Sequence, residues 1–187
     1  MKTTTKPLLV QASLMLLLLH AVPQETRAQF VSCDSVQQVL QKSFHATDST
    51  SVHLVINGDV DILYKEGDSI DLEVRYFQWI RYIGRVGKKE PFALKITESG
   101  NHVDVRPADR RSSVLFIGLG SRTEVAYRIS LPPHVLLAVE LLKNGKVTVR
   151  GGEGTMKGLE IITHERGTRI DTHQASFKKF DVIHQSK

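Results

Sequence analysis

From Phe44 onward apolar and polar residues alternate. Val52, Leu54 and Ile56 are interleaved with His53, Val55 and Asn57, and Val60 and Ile62 follow across Asp59 and Asp61. Ile70, Leu72, Val74 and Tyr76 alternate with Asp71, Glu73 and Arg75. The same period of two runs through Leu94-Ile96, Val103-Val105, Val125 to Leu131, Val135 to Leu141 and Val147-Val149. Strand side chains point to opposite faces in turn, so each run predicts a strand with one buried and one wet face. Asn57-Gly58, Glu66-Gly67-Asp68, Ser99-Gly100-Asn101 and Asn144-Gly145 fall between the runs and supply the φ values that tight turns need. Pro132-Pro133 lacks two amide donors and ends a strand. Only Ser35 to Ser43 reads as helical, with Asp34 or Ser35 as N-cap and Val36, Val39 and Leu40 on one face. The predicted fold class is all-β.

The C-terminal third adds a repeat. Val147-Thr148-Val149, Leu159-Glu160-Ile161, Ile170-Asp171-Thr172 and Phe180-Asp181-Val182 start 12, 11 and 10 residues apart, with glycine or polar residues between them. Such a step favours stacked rungs of a short-strand β-solenoid, right-handed and parallel β-helix-like; a β-sandwich is the alternative.

Residues 1–28 have a different grammar. Lys2 and Lys6 precede the apolar run Leu14 to Leu19, Val22-Pro23 breaks it, and Thr26-Arg27-Ala28 places a small residue at its end. This order predicts a secretory signal peptide cleaved between Ala28 and Gln29. The apolar stretch Leu8 to Val22 contains Gln11, Ser13 and His20 and is shorter than the roughly 20 residues a membrane span needs. The expected organisation is a signal peptide (1–28), an N-terminal segment with a short helix (29–43) and one all-β domain (44–187). The mature chain is then exported, without a transmembrane span, to the periplasm, the outer envelope or the medium.

Composition narrows the function. The 187-residue chain is 41% hydrophobic and 24% charged, which fits a globular domain. Its formal net charge is +5, and loss of Lys2, Lys6, Arg27 and Glu25 with the leader lowers it to +3. That mild balance, on an exported chain, argues against nucleic acid as a partner. A single cysteine, Cys33, excludes an intrachain disulfide and any multi-Cys metal site, leaving a free thiol or an intermolecular bond.

The chemical motifs are sparse. Gly67-Asp68-Ser69-Ile70 resembles the nucleophile block of GDSL hydrolases, and Asp181-Val182-Ile183-His184 their D-x-x-H block. Together Ser69, His184 and Asp181 would form a nucleophile, its base and the group orienting that base. However, such enzymes place the serine before a helix, and a strand follows here. Gly151 to Gly158 (GGEGTMKG) lacks the Gly-Lys-Ser/Thr ending and following helix of a phosphate loop, so it reads as a turn between strands. None of the eight histidines forms a metal-ligand spacing. Stacked rungs would nonetheless set His164, His173 and His184 in neighbouring columns. Asp59, Asp61, Asp68 and Asp71 lack a calcium-loop spacing and read as a wet strand face. No metal or cofactor is expected.

Arg75 to Lys89 (RYFQWIRYIGRVGKK) is the most unusual stretch, interleaving aromatics with arginines and holding no acidic residue. Trp79, Arg81, Tyr82 and Arg85 form its candidate contact surface, suited to a glycan, a lipid headgroup or a protein. In the bland alternative Tyr76, Ile80 and Ile83 cap the end of the sheet. Arg106, Arg110 and Arg111 form a second basic loop.

SVHLVINGDVDILYKEGDSIDLEV, VAYRISLPP, KNGKVTVRGGEG and GLEIITHERG resemble the putative-adhesin domain family of bacterial envelope proteins, related to head-GIN domains. The resemblance spans roughly Phe44 to Val182; it departs at Asn144 to Val147, where Lys146 replaces an acidic residue, and in segment 76–92. It implies an exported β-solenoid with no established activity. The expected function is a non-enzymatic structural or adhesive envelope module that contacts a glycan, lipid headgroup or envelope protein through its surface. A sensory or regulatory envelope domain is the alternative, with the Ser69, Asp181, His184 hydrolase as rival.

Overall fold

The computed structural model of the chain describes residues 32–83, 92–108, 117–152, 154–173 and 175–185. The alternating runs become strands: β2 (Ser51–Ile56), β3 (Asp59–Tyr64), β4 (Ser69–Ile83), β5 (Leu94–Ser99), β6 (His102–Pro107), β7 (Ile117–Leu131), β8 (Leu136–Leu141), β9 (Lys146–Arg150), β11 (Gly158–Thr163), β12 (Arg169–His173) and β14 (Phe180–His184). Two-residue strands β10 (Thr155–Met156) and β13 (Ser176–Phe177) lie in the C-terminal turns. The described chain is all-β. The Ser35–Ser43 helix is a misreading: those residues lie within strand β1 (Ser32–His45), paired antiparallel with β4 along its whole length. Fourteen cross-strand partners outweigh the weak helical face of Val36, Val39 and Leu40.

Two six-stranded sheets, in orders β1-β4-β7-β3-β9-β12 and β14-β11-β8-β2-β6-β5, pack their inner faces into one core, a sandwich-like arrangement. The chain changes sheet at nearly every turn. β2 passes to β3, β6 to β7, β8 to β9 and β11 to β12, and equivalent strands stack parallel and in register. One stacked layer therefore takes two of the triplets recognised in the sequence. Val147 stands beside Ile170 in the first sheet, and Leu159 beside Phe180 in the second. The step of 10 to 12 residues marks half a layer. The parallel pair β10-β13 forms a separate two-stranded sheet, and Phe177 of β13 meets Tyr64 of β3 edge-on at 5.9 Å.

In-register stacking lines the core with columns of like residues. Val105, Leu54, Val139 and Ile161 stand in one; Ile129, Ile62 and Val149 stand in another, all essentially inaccessible. Each such Leu or Ile contributes about 1.5–3 kcal/mol on burial. The corners are equally tight. A Cβ on Gly58 would lie 2.0 Å from the Val125 carbonyl oxygen, and one on Gly145 2.5 Å from that of Gly58. The two Asn-Gly corners thus stack backbone on backbone beneath β7.

One end of the first sheet outgrows the stack. β1, β4 and β7 run for 14, 15 and 15 residues, while β3 pairs with β7 only from Ala126 to Leu131. The remaining half of β7, with the facing halves of β4 and β1, projects as an antiparallel overhang.

Candidate functional site

The overhang has two faces. On β4 the even-numbered residues Ile70, Leu72, Val74, Tyr76 and Ile80 are buried, so the odd-numbered ones face outward: Asp71, Glu73, Arg75, Phe77, Trp79 and Arg81. Arg122 of β7 stands beside Trp79, and Gly120 beside Arg81. Gly120 leaves room on that face: a Cβ there would meet the indole Cζ3 at 3.7 Å. Phe77 and Trp79 are half-buried and Arg75 and Arg81 exposed, which makes an aromatic strip edged with cations.

Further along the same face the row turns polar. Lys65 Nζ donates to Asp71 Oδ2 at 2.6 Å and Ser43 Oγ to Asp71 Oδ1 at 2.7 Å, and these bonds hold the Asp71 carboxyl below its ordinary range. Gln41 Nε2 (3.0 Å) and Arg75 Nε (2.7 Å) donate to Glu73 and lower it likewise. A groove of about 290 Å³ runs between Gln41, Ser43, Asp71, Glu73, Arg128 and Ser130. Beside it a smaller hollow is bounded by Asp61, Arg75 and Arg128.

Of the residues singled out in the sequence, Trp79 and Arg81 share this outer face. Tyr82 lies on the opposite, inward parity, so it does not belong with them. Arg85, Arg110, Arg111 and the Ala28–Gln29 bond lie outside the described residues. Tyr76 and Ile80 are buried beneath the strip. Ser69 opens β4, its hydroxyl donating to Asp71 at 3.4 Å, whereas His184 pairs with Thr163 Oγ1 at 3.1 Å on β14 of the other sheet. Asp181 points outward from β14, and its carboxylate is bound by Lys179 at 3.1 Å. The fold therefore does not assemble Ser69, His184 and Asp181. Nor does it gather the three histidines: His173 lies on β12 of the first sheet, beside Arg150, while His164 bonds Glu140. Among the described residues no group of three or more His, Cys, Asp or Glu is placed to hold a metal. Cys33 is exposed and free, and Gly154 turns with a φ of 98° in the link between β9 and β11.

A second feature escaped sequence reasoning. Beneath the overhang lies an open cleft of about 610 Å³. Its roof is Tyr76, Gln78, Thr123 and Val125; its floor is Val55, Asn57, Glu140 and Leu142 at the ends of β2 and β8; Phe92 and Arg106 close one side. Phe92 stacks on Tyr76 (4.9 Å, 11°), and the Gln38 amide clamps its backbone through bonds of 2.9 and 3.0 Å. From the floor a line of titratable groups crosses the second sheet. His53 Nδ1 meets Asp104 Oδ1 at 2.9 Å, His53 Nε2 faces Glu140 Oε2 at 3.4 Å, and His164 Nε2 meets Glu140 Oε1 at 2.8 Å. Arg106 grips Asp104 Oδ2 through Nε and an Nη, both at 2.7 Å. Burial alone would raise the Asp104 carboxyl; the bonds from Arg106 and His53, with their charges, outweigh it and hold the group low. Alternation set these residues on outward positions, but only the strand order brings them together.

No family model matches the chain, and no curated protein matches it in sequence. Solved structures do resemble it. A putative adhesin from Parabacteroides distasonis ATCC 8503 aligns with a TM-score of 0.43 and 11% identity, over 80% of this chain and 54% of that one. A putative adhesin from Parabacteroides merdae ATCC 43184 gives 0.39 and 10%, over 78% and 52%. A putative lipid binding protein from Parabacteroides distasonis ATCC 8503 gives 0.33 and 12%, over 79% and 67%. The chain spans about half the length of the two adhesins.

Proposed function

We propose that the protein is a non-enzymatic, exported envelope module that holds a glycan on the outer face of β1, β4 and β7. The observation that carries this reading is the single row along β4, where the strip of Phe77, Trp79 and Arg81 continues through Arg75 into the groove at Glu73 and Asp71. A sugar ring presents an apolar face to an aromatic side chain and hydroxyls to carboxylate, amide and guanidinium groups. The row offers both along one line. The separation of Ser69 from His184 supports a binding role without catalysis, and the leader-like sequence of residues 1–28 supports export. Parallel, in-register stacking of β2, β8, β11 and β14, with the chain crossing between sheets at each turn, supports reading the fold as a short β-solenoid.

The test is retention on whole envelopes and on purified envelope polysaccharide. Trp79→Ala combined with Arg81→Ala weakens retention by about tenfold or more and leaves the thermal midpoint nearly unchanged. Undiminished retention, or loss that tracks a collapsed midpoint, would sink the reading. N-terminal sequencing of the exported protein checks the leader, with Gln29 the expected first residue.

A further inference from the structure

β1 is an edge of the first sheet, with β4 as its one strand partner among the described residues. An open row of N–H and C=O groups pairs readily with another chain, so native edges are blunted by shortness, prolines, bulges or lysines. Three edges follow that rule by being short: β12 and β14 have five residues each and β5 has six. β1 does not. It runs for 14 residues in an unshifted register with β4, and it holds no proline or glycine and a lone lysine, Lys42.

The phase of its hydrogen bonds is fixed at one end. Ala46 N–H donates to the Asp68 carbonyl at 2.6 Å, and these two residues continue the β1-β4 register. Bonded and non-bonded pairs alternate along an antiparallel ladder, so the even-numbered residues of β1 bond β4. The odd-numbered ones aim their N–H and C=O groups at the free edge. Their side chains are exposed throughout, from Cys33 to His45. Between Ser35 and Ser43 this set is Ser35, Gln37, Val39, Gln41 and Ser43, which reads the same in both directions. Val39 stands at its centre, 52% exposed.

A strand that reads alike both ways matches itself in antiparallel pairing about a two-fold axis. With the axis at Val39, that residue faces Val39 of a second copy, Gln37 faces its Gln41, and Ser35 its Ser43. Each is a pair that exchanges both backbone bonds. The even-numbered positions fit as well. Gln38 faces Leu40, Val36 the stem of Lys42, and Asp34 faces Phe44, so no like charges are opposed. Lys42 falls diagonal to Asp34 of the second copy, which is opposite in sign.

We propose that β1 is the interface of a homodimer, pairing antiparallel with β1 of a second copy about a two-fold axis at Val39. The two six-stranded sheets then join into one of twelve strands. The two β4 rows run in opposite directions on one continuous outer face, three strand spacings (about 14 Å) apart.

Sedimentation equilibrium of the full chain tests the proposal, with a dimer expected at about 100 μM. Val39→Lys sets like charges face to face on the axis, from a position exposed in the monomer, and weakens the dimer about tenfold or more while the far-UV circular dichroism is retained. In a Cys33→Ser background, Val39→Cys crosslinks two chains under oxidised glutathione, because residues on the axis have Cα atoms about 5.5 Å apart. Gln37→Cys in that background does not, since its counterpart lies four residues along the strand, roughly 14 Å away. A monomer at about 100 μM, the result expected if another segment of this chain lies on the edge, would overturn the assignment. So would a dimer indifferent to Val39→Lys, or Gln37→Cys crosslinking as readily as Val39→Cys. If Val39→Lys does not fold, the two cysteine variants decide.

Discussion

Leu159 and Phe180 are direct neighbours in the parallel ladder of β11 and β14, and both point inward, yet Leu159 is 1% exposed and Phe180 41%. The next pair repeats the contrast, with Ile161 at 0% and Val182 at 50%. A core position here is made by the layers on both sides of it. β11 has two such neighbours and β14 has one.

That contrast sets a graded mutational cost within one column. Ile161→Ala should destabilise the protein by about 3 kcal/mol, through lost burial and a residual cavity. Val182→Ala should cost less than about 1 kcal/mol. Urea unfolding of the two variants checks this, and equal costs would show that stacking depth does not govern burial energy.

Tyr64 offers a gain. Its ring is buried, its hydroxyl has no hydrogen-bond partner among the described residues, and burial pushes that group far above its ordinary value of 10.0. Tyr64→Phe removes the unsatisfied group and should stabilise the fold by about 1 kcal/mol. A raised value also means stability is fully present below pH 10 and drains away above it, as the unfolded chain ionises first. The variant should lose that part of the alkaline decline, read as the thermal midpoint between about pH 9 and 11.

At the corner beneath β7, Gly58→Ala should cost about 1–3 kcal/mol by overpacking, because its new Cβ would meet a backbone oxygen that cannot swing aside. Gly100→Ala is the control. Its φ of 57° carries a smaller conformational penalty in open space, with nothing within 4 Å. Chemical denaturation that ranks the two the other way round would refute the stacked-corner account.

The acid limb follows from four lowered carboxyls. Asp71 is held down by Lys65 and Ser43, Glu73 by Gln41 and Arg75, Asp171 by Lys146 and Arg169, and Asp104 by Arg106 and His53 against its burial. A lowered carboxyl takes its proton more readily in the unfolded chain, so its stabilisation is present above the ordinary values of 3.8 to 4.5 and is lost as pH falls through the folded ones. Thermal midpoints should decline below about pH 4.5. Lys65→Met should make the decline shallower, and an unchanged profile in that variant would remove Asp71 from the explanation.

Where burial alone dictates the pattern, the chain was readable. Val52-Leu54-Ile56 and Leu137-Val139-Leu141 alternate because one sheet face is dry, and their strands lie where alternation puts them. Ser35 to Ser43 was not readable, because Val36, Val39 and Leu40 suit a helix face as well as a strand. In the strand Val36 and Leu40 turn inward, Val39 is 52% exposed, and inward Gln38 is spent on clamping Phe92. Trp79 and Arg81 were legible through the interleaving of aromatics with arginines, while Tyr82 falls on the other face because β4 runs on to Ile83. The line from Asp104 to His164 was invisible. His53 and Asp104 lie 51 residues apart, and only insertion of β2 between β6 and β8 makes them neighbours.

That insertion also constrains how the molecule is made. β2 and β3 come early in the chain but occupy interior positions, flanked by β6 and β8 in one sheet and by β7 and β9 in the other. During synthesis β2 and β3 do not have both edges paired until Arg150 has emerged, so the protein cannot build itself layer by layer from its N-terminal side. Long-range parallel pairing of this kind slows folding and prolongs exposure of apolar strands. Ser51 to Tyr64 is therefore the segment that a chaperone would most need to shield while the rest of the chain is being made.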